Sequence, residues 1–372
     1  MVIRKGKEIK ALNILNVVYN FNTGGVERLI IDISNELVKR DVNCMLCIIN
    51  DSYSDRLLEM IDSRVKVIHL EKKDKNRKLS YLMQLNRIIR ENKIDVLHVH
   101  QGNLMSFFLI EKILNPGLKI FYTVHDTYIY SELSKKDQAI SKLICKKMIA
   151  ISDAVADDMS KNGVRSEQIK RVYNGVNFAR FSQKRIPRKP GEGFRIVNVA
   201  RFFPAKKGQD VLIKAAGILK ARGYSFTVTF AGGPISGDET SMPEMKKLAE
   251  ECGVSDIVTF LGNVTNVPEV LSRADCFCIP SRYEGFGISA VEAMGMGIPC
   301  VASNIVGLDE VVCSSEAGVL FEPGNENDLA DKLAYVMEHS EQYVPDEIEK
   351  IVKSKFSIEL MTDELLSCYS SR

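Results

Sequence analysis

The feature that most constrains this chain is a strict alternation of short apolar runs with helical patterns, and it occurs twice. In the first series, runs at 12–18, 44–49, 65–70, 96–100, 120–124, 148–151 and 169–173 have the length and near-continuous apolarity of strands buried on both faces. Helical patterns fill the gaps, and that order of elements specifies a doubly wound parallel sheet. The second series follows the polar stretch SQKRIPRKPGEG (182–193), which has two prolines and two glycines, and runs at 195–200, 226–231, 257–261, 274–280, 299–302 and 319–321. At 372 residues the chain exceeds one comfortable core, and a hydrophobic fraction of 45% suffices for two. The expected architecture is α/β: two Rossmann-like, doubly wound parallel-sheet domains, 1–185 and 194–355, joined by a linker at 186–193.

In such sheets ligands sit beyond the carboxyl ends of the strands, so the loops there are the informative segments. After the run 274–280 comes SRYEGFGISAVEAMG (281–295), a glycine-containing loop that opens a helix near 287–289. Glu284 stands in the loop and Glu292 on the helix. Unpaired backbone N–H groups and the positive end of the helix dipole make that junction an anion site. Carboxylates on either side accept hydrogen bonds from hydroxyls, so an anionic ligand carrying hydroxyls at both ends fits: a sugar, a diphosphate and a ribose. The bland alternative is a turn residue and a solvated helix residue.

Three other strand ends carry candidates. Asn22-Thr23-Gly24-Gly25 follows the first strand, and paired glycines admit a phosphate or sugar to the backbone, or make a tight turn. Arg201 and Lys207 share the loop RFFPAKKG, where two cations neutralise a diphosphate leaving group unless one is mere surface charge. His125, in TVHD, stands at another strand end, placed to donate to a sugar or phosphate oxygen. A GxGxxG fingerprint is absent at both domain starts, which argues against a dehydrogenase.

Charge and cysteine usage narrow the setting. Residues 1–190 hold 34 Lys+Arg against 21 Asp+Glu, net +13, and the remainder 16 against 27, net −11. A basic half suits an acidic substrate or anionic lipid, with the densest cluster at 72–78, KKDKNRK. It lacks the interleaved aromatic platforms of a nucleic-acid binder. Nine scattered cysteines suggest neither a zinc site nor a disulfide framework and point to a reducing cytosol. No apolar run has the length of a signal peptide or a membrane span. A cytoplasmic location follows as the expectation, with contact at the cytoplasmic face of the plasma membrane as a further option.

Taken together these segments resemble the family 4 glycosyltransferases, retaining enzymes of the GT-B fold, over nearly the whole chain. The most specific element is EGFGxxxxE, met by Glu284, Gly285, Phe286, Gly287 and Glu292. The family's basic pair falls on Arg201 and Lys207, its N-terminal glycine loop on Gly24 and Gly25, and its histidine on His125. Ser152 and Asp153, and the run Asn174-Gly175-Val176, also look like family segments. Residues 356–372 look like the terminal helix that crosses back to the first domain. Val306-Gly307-Leu308-Asp309-Glu310 keeps one glycine of the usual two, which leaves the role of Glu310 open.

The resemblance implies the chemistry. Glu292 would bind ribose hydroxyls and Glu284 sugar hydroxyls; the backbone around Phe286, Gly287 and Ile288 would meet sugar and phosphate, and Arg201 and Lys207 the diphosphate. No metal is expected, because no Asp-x-Asp cluster stands at a strand end. A UDP-sugar donor and a glycan or lipid-linked acceptor, bound by the first domain, follow from the family's habits, with capsule or exopolysaccharide synthesis as the setting. Domain closure would expel water from the donor. The competing readings are a GT-B epimerase or a phosphorylase, and a non-catalytic sugar-nucleotide sensor or scaffold subunit; all of the signature residues are present, which argues against loss of catalysis.

Overall fold

The computed structural model describes residues 12–22, 24–73, 80–235, 237–315 and 317–371. The chain divides into two compact units, Met1–Gly175 with Ile358–Arg372, and Val176–Ser357.

The first unit is a seven-stranded sheet of β1 (Asn13–Val18), β2 (Asn43–Asn50), β3 (Lys66–Lys72), β4 (Val96–Val99), β5 (Lys119–Val124), β6 (Cys145–Ala150) and β7 (Ile169–Arg171). Its order is β3-β2-β1-β4-β5-β6-β7 and every pairing is parallel, Ile14 lying opposite Cys44 on one side and Val96 on the other. The helix Gly25–Lys39 packs Ile30, Ile33 and Leu37 onto it. The last helix, Ile358–Ser370, joins the same core through Met361, Leu365 and Tyr369, and Arg40 pairs with Asp363 and donates to the Glu359 carbonyl.

The second unit is a six-stranded parallel sheet of β8 (Phe194–Val199), β9 (Phe226–Ala231), β10 (Val258–Phe260), β11 (Cys276–Ile279), β12 (Cys300–Ser303) and β13 (Gly318–Phe321). Its order is β10-β9-β8-β11-β12-β13. Strand order reverses between β1 and β4 and again between β8 and β11, so at each point two loops leave neighbouring strands toward the same place.

All thirteen expected strands form, with shifted ends. β11 stops at Ile279 and β12 starts at Cys300 because Pro280 and Pro299 have no N–H for the ladder. β6 starts at Cys145, ahead of the expected 148, since Lys146 and Lys147 interrupt the apolar pattern while their ammonium groups reach the Ser371 and Glu167 carbonyls.

The polar stretch 186–193, expected as the linker, lies within the second unit, whose first residue is Val176. The segment is stitched down by hydrogen bonds that composition does not reveal. Arg185 donates to the Gly297 and Ala274 carbonyls at 3.0 Å each, and Ile186 N to Ser272 O at 2.7 Å. Phe178 is buried so closely on Gly295 that a Cβ there would stand 2.0 Å from its ring.

All nine cysteines are free thiols. Among the described residues no helix is long and apolar enough to cross a membrane. Of the basic cluster 72–78, Lys72 ends β3, and residues 74–78 lie outside the described residues.

Candidate active site

In the second unit the chain leaves β8 through an exposed Arg201 and turns Phe202 into the core, against Phe230 and Phe260. A single helical turn, Pro204–Lys207, ends at Gly208 with φ 67°. A Cβ on Gly208 would stand 1.9 Å from the Pro280 carbonyl oxygen, so only glycine lets this segment lie on the end of β11. The two loops are then clamped. Lys206 O accepts from Arg282 N at 2.8 Å, and the Arg282 guanidinium grips both Asp210 carboxylate oxygens at 2.8 and 2.7 Å. Gln209, fully buried, donates to the Arg201 carbonyl at 3.0 Å.

The consequence is an ion pair between two of the expected residues. Lys207 Nζ lies 2.5 Å from Glu284 Oε2, and Ser281 Oγ donates to the same oxygen at 3.2 Å. Arg201 shares their loop. A third loop braces this one: Gly307, φ 94°, packs where a Cβ would meet the Glu284 and Gly285 carbonyls at 2.9 Å. Gly287, φ 82°, caps the helix Ile288–Met294, and its carbonyl accepts from Ala290 N at 2.9 Å and Val291 N at 3.3 Å. The Phe286 ring is core, 2% exposed and edge-on to Phe356, so its contribution to a ligand is limited to its backbone. Ile288 is partly exposed at the helix start.

Glu292 is on that helix, and Arg180 Nη2 stands 3.4 Å from its carboxylate. Sequence reasoning missed Arg180, since it comes from the 3-10 turn Phe178–Phe181, where no periodicity links it to residue 292. It also passed over Gly232 and Gly233, although a glycine pair directly after a strand was a usable signal. A Cβ on Gly232 would lie 1.8 Å from the Ala200 carbonyl oxygen, so this pair sets the path into Arg201. Glu310 sits partly buried in the first turn of Leu308–Ser315, and Asp309 is the residue that accepts from Gly307 N and Glu310 N, at 3.0 and 2.8 Å.

In the first unit Gly24 is extended, φ −170°, before the helix Gly25–Lys39, and nothing lies within 4 Å of a Cβ on Gly25. Thr23 lies outside the described residues. Ser152 is a helix cap, accepting from Val155 N at 3.2 Å, and Asp153 pairs with Arg171 at 2.9 Å. His125 follows β5 and is joined to a cluster that sequence reasoning had not assembled. Its Nε2 lies 2.9 Å from His100 Nδ1, and His100 Nε2 lies 3.4 Å from Asn16 Oδ1. His98 bonds Thr123 Oγ1 at 2.7 Å and the Tyr369 hydroxyl at 2.6 Å. Burial pushes the pKa of His125 down to about 4, that of His98 to about 3, and that of His100 well below the ordinary value, so the rings are neutral near pH 7. The signal available was HVH at the end of β4: alternate residues share a face.

Two switch-point sheets, with a lysine–glutamate pair and a glycine-bearing helix start at the carboxyl end of the second, are the arrangement of a GT-B glycosyltransferase. Residues 23–180 match the model described as Glycosyltransferase Family 4, and residues 179–349 the model described as Glycosyl transferases group 1. The chain belongs to this family of glycosyltransferases. It is similar to the N-acetyl-alpha-D-glucosaminyl L-malate synthase of Bacillus anthracis, 24% identical over 71% of this chain and 70% of that protein. A protein of Escherichia coli K12, provisionally named the colanic acid biosynthesis glycosyltransferase WcaL, is 31% identical over 55% of this chain and 50% of its own length. Among solved structures, Anabaena Alr3699/HepE in complex with UDP and glucose superposes with a TM-score of 0.82 at 21% identity, covering 97% of this chain and all of that one.

Proposed function

We propose that this glycosyltransferase moves a sugar from a UDP-sugar to a glycan or lipid-linked glycan acceptor, with retention and without a metal, in the synthesis of a cell-surface polysaccharide. The observation that carries the reading is the Lys207–Glu284 pair, held at the junction of two strand ends with Arg201 on the same loop. Lys207 and Arg201 supply positive charge where the diphosphate departs, and such charge acts most strongly as the leaving group becomes negative. Glu284 accepts hydrogen bonds from sugar hydroxyls, and Glu292, steadied by Arg180, accepts from the ribose. The backbone at Gly24 and Gly25, and at Phe286, Gly287 and Ile288, approaches sugar and phosphate, and His125 meets a hydroxyl. In the transfer, the bond from C1 to the diphosphate oxygen breaks, the acceptor oxygen bonds C1 from the same face, and the acceptor proton passes to the departing phosphate. Glu284 is then electrostatic support and not a nucleophile. The UDP and glucose in the Anabaena protein, and the name of the Escherichia coli relative, support the donor and the setting.

A panel of nucleotide sugars, read by release of the nucleoside diphosphate, tests the reading. Turnover with a UDP-sugar is expected and is expected to persist in EDTA. Loss on chelation with recovery in magnesium or manganese overturns the metal-free part.

With the cytoplasmic location expected from its scattered cysteines, the basic first half suits reversible contact at the anionic inner face of the membrane. Each exposed basic residue contributes at most about 1 kcal/mol there. Flotation with anionic and neutral vesicles tests this, with charge reversal at Lys72 and Lys73. Binding to anionic vesicles that weakens with salt is expected; protein that stays in solution at low salt rules it out.

A further inference from the structure

A neutral imidazole has one donor and one acceptor nitrogen, so a chain of hydrogen bonds through two rings has every proton placed once one end is settled. Here the settled end is Asn16, fully buried in β1. Its amide nitrogen donates toward Ser34 Oγ at 3.3 Å and Cys44 Sγ at 3.4 Å, each of which can accept as well as donate. Asn16 Oδ1 therefore faces His100 Nε2 as an acceptor, and that nitrogen carries the proton. His100 Nδ1 is then bare and receives the N–H of His125 Nε2 at 2.9 Å. The remaining nitrogen, His125 Nδ1, has no proton; it is buried and has no hydrogen-bond partner among the described residues.

The geometry points to Asn16 and His100 as positioning residues that hold His125 in the Nε2–H tautomer and so keep its buried, unpartnered Nδ1 as a hydrogen-bond acceptor for the substrate group that reaches it. The group it meets must bring a proton, which makes it a hydroxyl of the transferred or accepting sugar and not a phosphate oxygen. This reverses the direction expected from sequence, where His125 was a donor. Two observations agree with it. The His100 and His125 rings lie nearly parallel, 24° apart with centroids at 5.2 Å, which holds the bond in register. Burial keeps both rings neutral at working pH, so protonation does not scramble the relay. The identity of the hydroxyl rests on the sugar-transfer reading above; the tautomer does not.

Nitrogen-15 NMR of the ligand-free protein, with labelled histidine, reads the tautomer directly. At neutral pH His125 is expected with Nε2 protonated and Nδ1 bare, whatever the enzyme transfers. A proton on Nδ1, or a mixture, overturns the relay. Two variants then connect it to turnover. His100→Leu removes the acceptor for His125 and is expected to mix the tautomers and lower kcat/KM about tenfold, the scale of one neutral hydrogen bond. His100→Asn, whose carbonyl oxygen takes over the place of Nδ1, is expected to keep one tautomer and recover most of the activity. Equal losses in the two variants with the His125 tautomer unchanged would overturn the positioning role, and so would full activity in His100→Leu with a mixed tautomer. Absence of any sugar transfer in the wild type, with the tautomer as expected, would instead count against the transfer reading alone.

Discussion

The two units organise their polar residues in opposite ways. In the second unit the groups are charged, sit on loops and keep contact with water: the Lys207 and Glu284 side chains are 19% and 16% exposed. In the first unit they are neutral and lie in the strands or directly past their ends, with Asn16 and His98 fully buried and His100 5% exposed. The difference follows from the cost of taking an ion out of water, which is several kcal/mol even after pairing, whereas a neutral imidazole needs only its two hydrogen bonds satisfied. A charged, half-wet cluster responds to charge that grows on a leaving group. A buried neutral one offers hydrogen bonds of defined direction.

The largest effect separating the two should come from Lys207→Ala. Removing a cation aimed at developing charge costs on the order of 10² to 10³ in kcat, with the fold retained by circular dichroism. A kcat loss no larger than that of His100→Leu would erase the distinction between an electrostatic site and a directional one.

Glu292→Ala is the next largest. Loss of a charge-assisted hydrogen bond to ribose is worth about 1.5 to 3 kcal/mol, so donor affinity measured by calorimetry should fall by about one to two decades. Unchanged nucleotide binding would assign Glu292 to the Arg180 pair alone and take the ribose away from it.

The smallest effect concerns acid. The folded pKa values of His98 and His125 lie near 3 and 4, that of His100 is also depressed, and the ordinary value is 6.5. Between pH 6.5 and about 4 the unfolded chain therefore binds protons that the folded chain does not. Stability is full above the ordinary value and declines as pH falls through that window, by up to about 1.4 kcal/mol per pH unit for each ring. Thermal melts from pH 7 to 5 should show the decline, and His100→Asn should flatten it; a melting temperature that stays level across this range would mean that the rings charge inside the fold.

Much of this was legible in the sequence. Every strand was, because an apolar run of three to seven residues bounded by turn residues is a local pattern. So was the placement of Glu284, Arg201, Lys207 and His125 at strand ends. Other features were not. The run 182–193 is polar by composition, yet 186–193 belongs to the second unit, since Arg185 and Ile186 bond to backbone around Ala274, Ser272 and Gly297. Arg180 pairs with a residue on a helix far along the chain, and no spacing announces it.

The sequence by itself determined the order of strands and helices, the class of fold and which loops carry charge and glycine, because these depend on periodicity and on residues a few positions apart. Which strands became neighbours was decided only in three dimensions. β8 lies beside β11 although two strands intervene in the chain, and that adjacency brings Lys207 to Glu284. β1 lies beside β4 and β4 beside β5, which lines up Asn16, His100 and His125. The physical reason is that strand order is set by long-range packing of whole faces, and a hydrogen bond or ion pair between two loops exists only after that packing has brought them within about 3 Å.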